Sequence, residues 1–216
     1  MTGKLTLLLV LLGLAGTAAA QDSSHDWLLV PGCRVGPITT NSSEAELRTR
    51  FGPANVQPTT IYLDEGEQRP GTVVFPGDSA NRLEILWRDT LARKDPAEVR
   101  LSGLRSHWRF KDGLTLGSSL RDLERVNGKA FRFNGWGSDA GGIIWGWDGG
   151  VLKSQLPLDA VRLYLAEPRW DLLNHHEQAE LDEAREDTSS MPALQLTNPR
   201  VDFLRIFFLP SGCRAP

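Results

Sequence analysis

The chain has 216 residues, a formal net charge of −3 and two cysteines. A charge this close to balance leaves out the basic footprint that nucleic acid demands. Beyond the first twenty residues no run is long and apolar enough to span a bilayer, which takes about 20 apolar residues.

The chain opens with one cation, Lys4, then a short apolar run over residues 5–14, and it reaches Ala18-Ala19-Ala20 through small residues. That order predicts a secretory signal peptide over residues 1–20, cleaved after Ala20. No cysteine lies just past the apolar run, from Thr17 to Gln21, so no lipid attachment is expected. The mature chain should be free in the periplasm or outside the cell. Its length suits one large domain or two small ones.

Cys33 and Cys213 lie near the two ends of the mature chain, each beside a glycine. Export to an oxidising compartment predicts a disulfide between them. There is no CxxC pair to suggest a redox or metal site.

Residues 37–52 align without a gap on residues 113–128. Thr39, Ser42, Ser43, Leu47 and Gly52 meet Thr115, Ser118, Ser119, Leu123 and Gly128. Each segment reads as a short helix, with serine able to cap its first amides and glycine placed to end it. Leu47 and Phe51, and Leu120 and Leu123, supply apolar stripes. Strand-like alternation follows each copy, at 59–63, 71–75 and 82–87 after the first, and at 130–133, 142–147 and 160–165 after the second. Further strands are expected at 98–101, 107–110 and 201–209. Short connections favour antiparallel pairing, so the fold class is α+β, a duplicated unit of short helix then antiparallel strands with the helices on one sheet face. The first unit is expected over 21–110 and the second over 111–216. Residues 170–187 carry seven acids and one arginine and read as a polar helical insertion in the second unit.

Residues 113–128, with the following Phe-Arg-Phe-Asn-Gly-Trp at 131–136 and Asp139-Ala-Gly-Gly, resemble an uncharacterised family of secreted bacterial proteins, which implies no activity. The start of each copy, at 38–52 and 114–128, also resembles the repeat of β-lactamase-inhibitor-like proteins and of outer-membrane assembly lipoproteins of the SmpA/OmlA type. That likeness covers about 32 residues and implies a small helix-on-sheet fold that acts by binding proteins. The lipobox cysteine of the lipoproteins is missing here.

Residues 131–150 place Trp136, Trp145 and Trp147 among glycines, with Asp139 and Asp148 between them. Glycine lets backbone approach a ligand, and aromatic faces with carboxylates suit a sugar or peptide groove. In a strand Trp145 and Trp147 would point the same way and form a platform. These five residues are the expected ligand- or partner-binding set, and the alternative is a packed sheet in which they only make core and turns. His175 and His176 are adjacent, about 100° apart on a helix, and cannot share one ion. No metal site, cofactor, nucleophile motif or phosphate loop is expected. The functional expectation is a non-enzymatic binding or structural module of the bacterial envelope, its partner an envelope protein or glycan. The alternative is a glycan hydrolase using Asp139 or Asp148.

Overall fold

Local capping sets the two helices that the sequence marks. In the computed structural model, which describes residues 26–210 and Cys213, α1 spans Glu44–Phe51 and α2 spans Leu120–Asn127. The signal-peptide reading lies outside the described residues. Ser43 accepts from Glu46 N while the Glu46 carboxylate accepts from Ser43 N, and Ser119 and Asp122 repeat this reciprocal box. Each such cap stabilises by about 1 kcal/mol. Hydrogen bonds from Ser119 and then from Arg125 hold the Asp122 carboxyl down at about 2. Just ahead of each box, Thr39 N donates to Ser42 Oγ at 3.0 Å, and Thr115 N donates to Ser118 Oγ at 2.9 Å. Both helices end at a glycine with positive φ, Gly52 at 85° and Gly128 at 72°.

Strands fill the space between and after the helices. A small antiparallel sheet at the start consists of β1 (Leu29–Val30), β2 (Arg34–Val35) and β3 (Ile38–Thr39). After α1 come β4 (Val56–Tyr62), β5 (Gln68–Val74), β6 (Leu83–Asp89) and β7 (Lys94–Ser102). After α2 come β8 (Arg132–Asn134), β9 (Ile144–Gly146), the single turn α3 (Leu152–Gln155) and β10 (Val161–Leu165). The chain closes with α4 (His175–Glu183), β11 (Glu186–Thr188), α5 (Pro192–Thr197) and β12 (Val201–Phe207). Residues 107–110, expected as a strand, form only isolated bridges through Arg109.

The main sheet has the order β10-β12-β7-β6-β5-β4, all antiparallel, so strands from both halves of the chain share it. One face carries Ile85, Val99, Leu101, Leu163, Leu204 and Ile206, which join Leu47, Leu120 and Leu123 of the two helices in one core. Burying a leucine such as Leu120 or Leu123 stabilises by about 1.5–3 kcal/mol. The third sheet, β11-β8-β9, extends this core through Phe133 and Ile144.

Residues 170–187 depart from the expected single polar helix. A 3-10 turn at Trp170–Leu172 precedes α4, and the last residues pair with β8 as β11. Leu181 and Leu173 face the core, so the segment has an apolar side despite its charge. The disulfide joins Cys33, after β1, to Cys213, after β12. No helix among the described residues is long and apolar enough to cross a membrane.

Candidate functional site

The tryptophan-glycine segment does not form the expected platform. Trp145 lies within β9, which ends at Gly146, whereas Trp147 follows the strand and is buried, so the two rings do not share one exposed face. Trp147 is 3% exposed, lies 5.5 Å from Phe131 and donates through Nε1 to Leu156 O at 2.9 Å. It is a core residue. Trp136 packs edge-on against Phe133 at 5.2 Å. Trp145 is half-buried, its Nε1 buried and without a hydrogen-bond partner among the described residues, and the Arg132 guanidinium lies 4.2 Å from its ring centre. Arg132 Nε also donates to Asp148 Oδ1 at 2.7 Å, so Trp145 and Asp148 are held together through Arg132. Asp139 is exposed and makes no hydrogen bond or ion pair among the described residues.

Several glycines of this segment serve chain packing. A Cβ on Gly135 or Gly137 would run into the backbone at the end of α4, at Ala184 and Asp182, and one on Gly150 would meet Asn127. Beneath Gly135 sits Asp187, 3% exposed, with neither carboxylate oxygen hydrogen-bonded. Burial, and then the charge of Glu180, push its carboxyl up to about 6.

A concave aromatic surface lies elsewhere, where the end of α1 meets the loop after β5. Trp27, Phe51 and Phe75 line a hollow of about 400 Å³ together with Arg50, Asn55, Asp78 and Asn81. That volume falls in the range of small-ligand sites. Phe51 and Phe75 meet edge to face at 5.0 Å, and Trp27 meets Phe75 at 6.0 Å. Behind them Trp27 stands perpendicular to the buried Trp108 at 4.8 Å.

Backbone and side-chain hydrogen bonds hold the walls of the hollow. Phe75 N donates to Asn55 O at 2.8 Å, and Asn55 Nδ2 donates to Phe51 O at 2.9 Å. The Asp78 carboxylate takes Ala80 N at 3.0 Å and Asn81 Nδ2 at 2.6 Å. Trp108 Nε1 donates to Asn81 O at 2.9 Å. Phe75 itself sits at φ 55°. A bulky side chain in that region costs about 1–2 kcal/mol, and such strain collects at functional sites. Here it turns the ring into the hollow.

The sequence-expected set contains none of these residues. Phe51 was legible only as part of a helix stripe, and residues 76–78 only as a turn between strands. Trp27 comes to Phe75 through a contact 48 positions apart in the chain, which no local pattern reports. Comparison with protein families, with curated proteins and with solved structures finds no match to this chain.

Proposed function

We propose that the protein is an exported, non-enzymatic binding module of the bacterial envelope, and that the Trp27–Phe51–Phe75 hollow takes a sugar-ring-sized group of an envelope glycan. The hollow carries this reading. Its floor offers apolar ring surface for the C–H faces of a pyranose. Its rim mixes a guanidinium, a carboxylate and two amides, and a hydroxyl can both accept from the first and donate to the others. The disulfide and the short apolar start of the chain support export. The repeated serine-capped segments support a duplicated helix-plus-strand unit, with the first at 21–110 and the second at 111–216. The likeness of those segments to binding repeats points the same way.

The test is a titration of the mature protein with soluble peptidoglycan fragments and with unrelated oligosaccharides, read by calorimetry and tryptophan fluorescence. Binding of the envelope fragments should weaken at least tenfold in Trp27→Ala and Phe75→Ala, while Trp145→Ala binds as wild type. Absence of glycan binding, or equal loss in Trp145→Ala, would remove the hollow as the site. Slow cleavage of the glycan that vanishes in Asp139→Asn or Asp148→Asn would replace binding with hydrolysis.

A further inference from the structure

The face of the main sheet opposite the core carries a row of like charges. Strand register places Arg100 of β7 directly opposite Arg205 of β12, and Arg205 directly opposite Arg162 of β10. On the other side Arg100 faces Glu84 of β6. Like charges directly opposite each other destabilise a sheet, so three arginines in line need compensation. Glu98 supplies part of it. Its carboxylate accepts from Arg100 Nε at 2.7 Å, from Arg205 Nε at 2.6 Å and from Arg205 Nη2 at 2.9 Å. Glu84 is taken by Arg82 at 2.8 Å.

Compensation stops at Arg162. It has no ion pair among the described residues and leans on the Phe207 ring at 5.7 Å. Around it the same face presents half-buried aromatic surface. Phe203 and Tyr164 are directly opposite on β12 and β10, with ring centres 5.0 Å apart. Tyr164 OH lies 3.3 Å from Arg205 Nη1. Ile61, Val73 and Leu86 are buried on this side but stand apart from the core cluster.

We infer that this face is a second binding surface, and that its occupant is an acidic segment of a partner protein laid across β12 and β10, where Arg162, Tyr164, Phe203 and Phe207 are half-buried, with a carboxylate on Arg162. A guanidinium fork matches a carboxylate in a planar, two-bonded geometry. Arginine, tyrosine and phenylalanine in a half-buried patch are the composition of protein interface centres. A partner carboxylate also relieves the cross-strand repulsion that the free protein carries, so charge complementarity selects the partner. This surface is separate from the aromatic hollow and does not depend on it.

The experiment uses the mature protein and a labelled eight-residue peptide of alternating Glu and Phe, with its Gln-Phe counterpart, read by fluorescence anisotropy. The Glu peptide should bind, weaken with added salt, and bind at least tenfold more tightly than the Gln peptide. Arg162→Gln should cost about tenfold, and Arg162→Glu should abolish binding. The melting temperature of both variants should hold or rise, because a like charge leaves the row. Equal binding of the two peptides, wild-type affinity in Arg162→Glu, or no binding of the Glu peptide would each overturn the inference. Inorganic polyphosphate run in parallel is a further arm: tight, Arg162-dependent binding of polyphosphate without binding of the Glu peptide would also overturn it.

Discussion

Arg100 Nη1 donates to the carbonyl oxygen of Tyr62 at 2.8 Å, although β6 and β5 lie between their strands. In a flat sheet three strand spacings amount to roughly 14 Å. The register also runs from Arg100 through Glu84 and Val73 to Gln57, so Tyr62 lies five residues farther along β4. The bond closes only because the sheet curls and the β4–β5 hairpin folds diagonally over its own face. Gly71 permits this, since a Cβ there would strike Ile61.

Arg100→Ala should therefore do more than delete one ion pair. It removes the tie to Tyr62 and leaves the buried Glu98 with Arg205 alone. Breaking a buried pair from one side costs about 3–5 kcal/mol, and the retained Arg205 keeps the expected loss near the lower end. Urea denaturation measures the loss. Amide exchange should rise first in β4 and β5, and uniform exchange across the sheet would show that the tie does not hold the curl.

Asp187 makes the protein lose stability as pH rises. Burial and the neighbouring Glu180 raise its folded carboxyl to about 6, against about 3.9 in the unfolded chain. Below about 4 both states hold the proton, and the contribution is fully present. As pH climbs through about 6 it is lost, because the folded carboxyl resists ionisation that the unfolded chain accepts. The shift corresponds to roughly 3 kcal/mol between pH 4 and pH 8. Asp187→Asn should match the wild-type melting temperature near pH 4 and exceed it at pH 8. A constant difference between the two proteins across that range would count against this account.

Which parts of this molecule were legible follows from range. The Ser43–Glu46 and Ser119–Asp122 boxes close within four residues, so the serines and glycines of 37–52 and 113–128 announce both helices. Alternation likewise marks the strands of the main sheet, and the two cysteines mark the bridge. Residues 170–187 misled because their acids hide Leu173 and Leu181, and because β11 exists only through its pairing with β8. Trp147 misled for a different reason. Side chains alternate only while a strand lasts, and β9 ends one residue before it. The hollow and the arginine row were out of reach, since each is assembled from elements whose adjacency is decided by tertiary pairing.

The glycines at 135 and 137 test whether their segment is shaped by packing or kept open for a ligand. A Cβ at Gly135 would collide with Ala184 backbone and crowd Asp187 Oδ2, whereas one at Gly77 meets nothing within 4 Å. Backbone cannot yield as a flexible side chain does. Gly135→Ala is expected to destabilise by about 2–4 kcal/mol, within the range of overpacked or strained sites, and Gly77→Ala should change stability by less than about 1 kcal/mol. Thermal melts of the two variants decide it, and similar melting temperatures would mean that the 135–142 loop lifts off α4 at little cost.

The bridge between Cys33 and Cys213 closes a separation of 180 residues. Its main action is on the unfolded chain, whose ends it keeps together, and such bridges typically stabilise by about 2–4 kcal/mol. In the native state the same ends are also joined by backbone: Leu209 N donates to Gly32 O at 3.1 Å, and Gly32 pairs with Phe208. The double variant Cys33→Ser, Cys213→Ser should therefore fold to the same structure. Its melting temperature should drop by about 5–15 °C, taking about 2–4 °C per kcal/mol for a chain of this size. The denaturant m-value should rise, because the unbridged unfolded chain exposes more surface. A lower melting temperature with an unchanged m-value would move the effect from the unfolded chain to native contacts around Cys33, and near-ultraviolet dichroism of the variant would then show altered packing of the tryptophans.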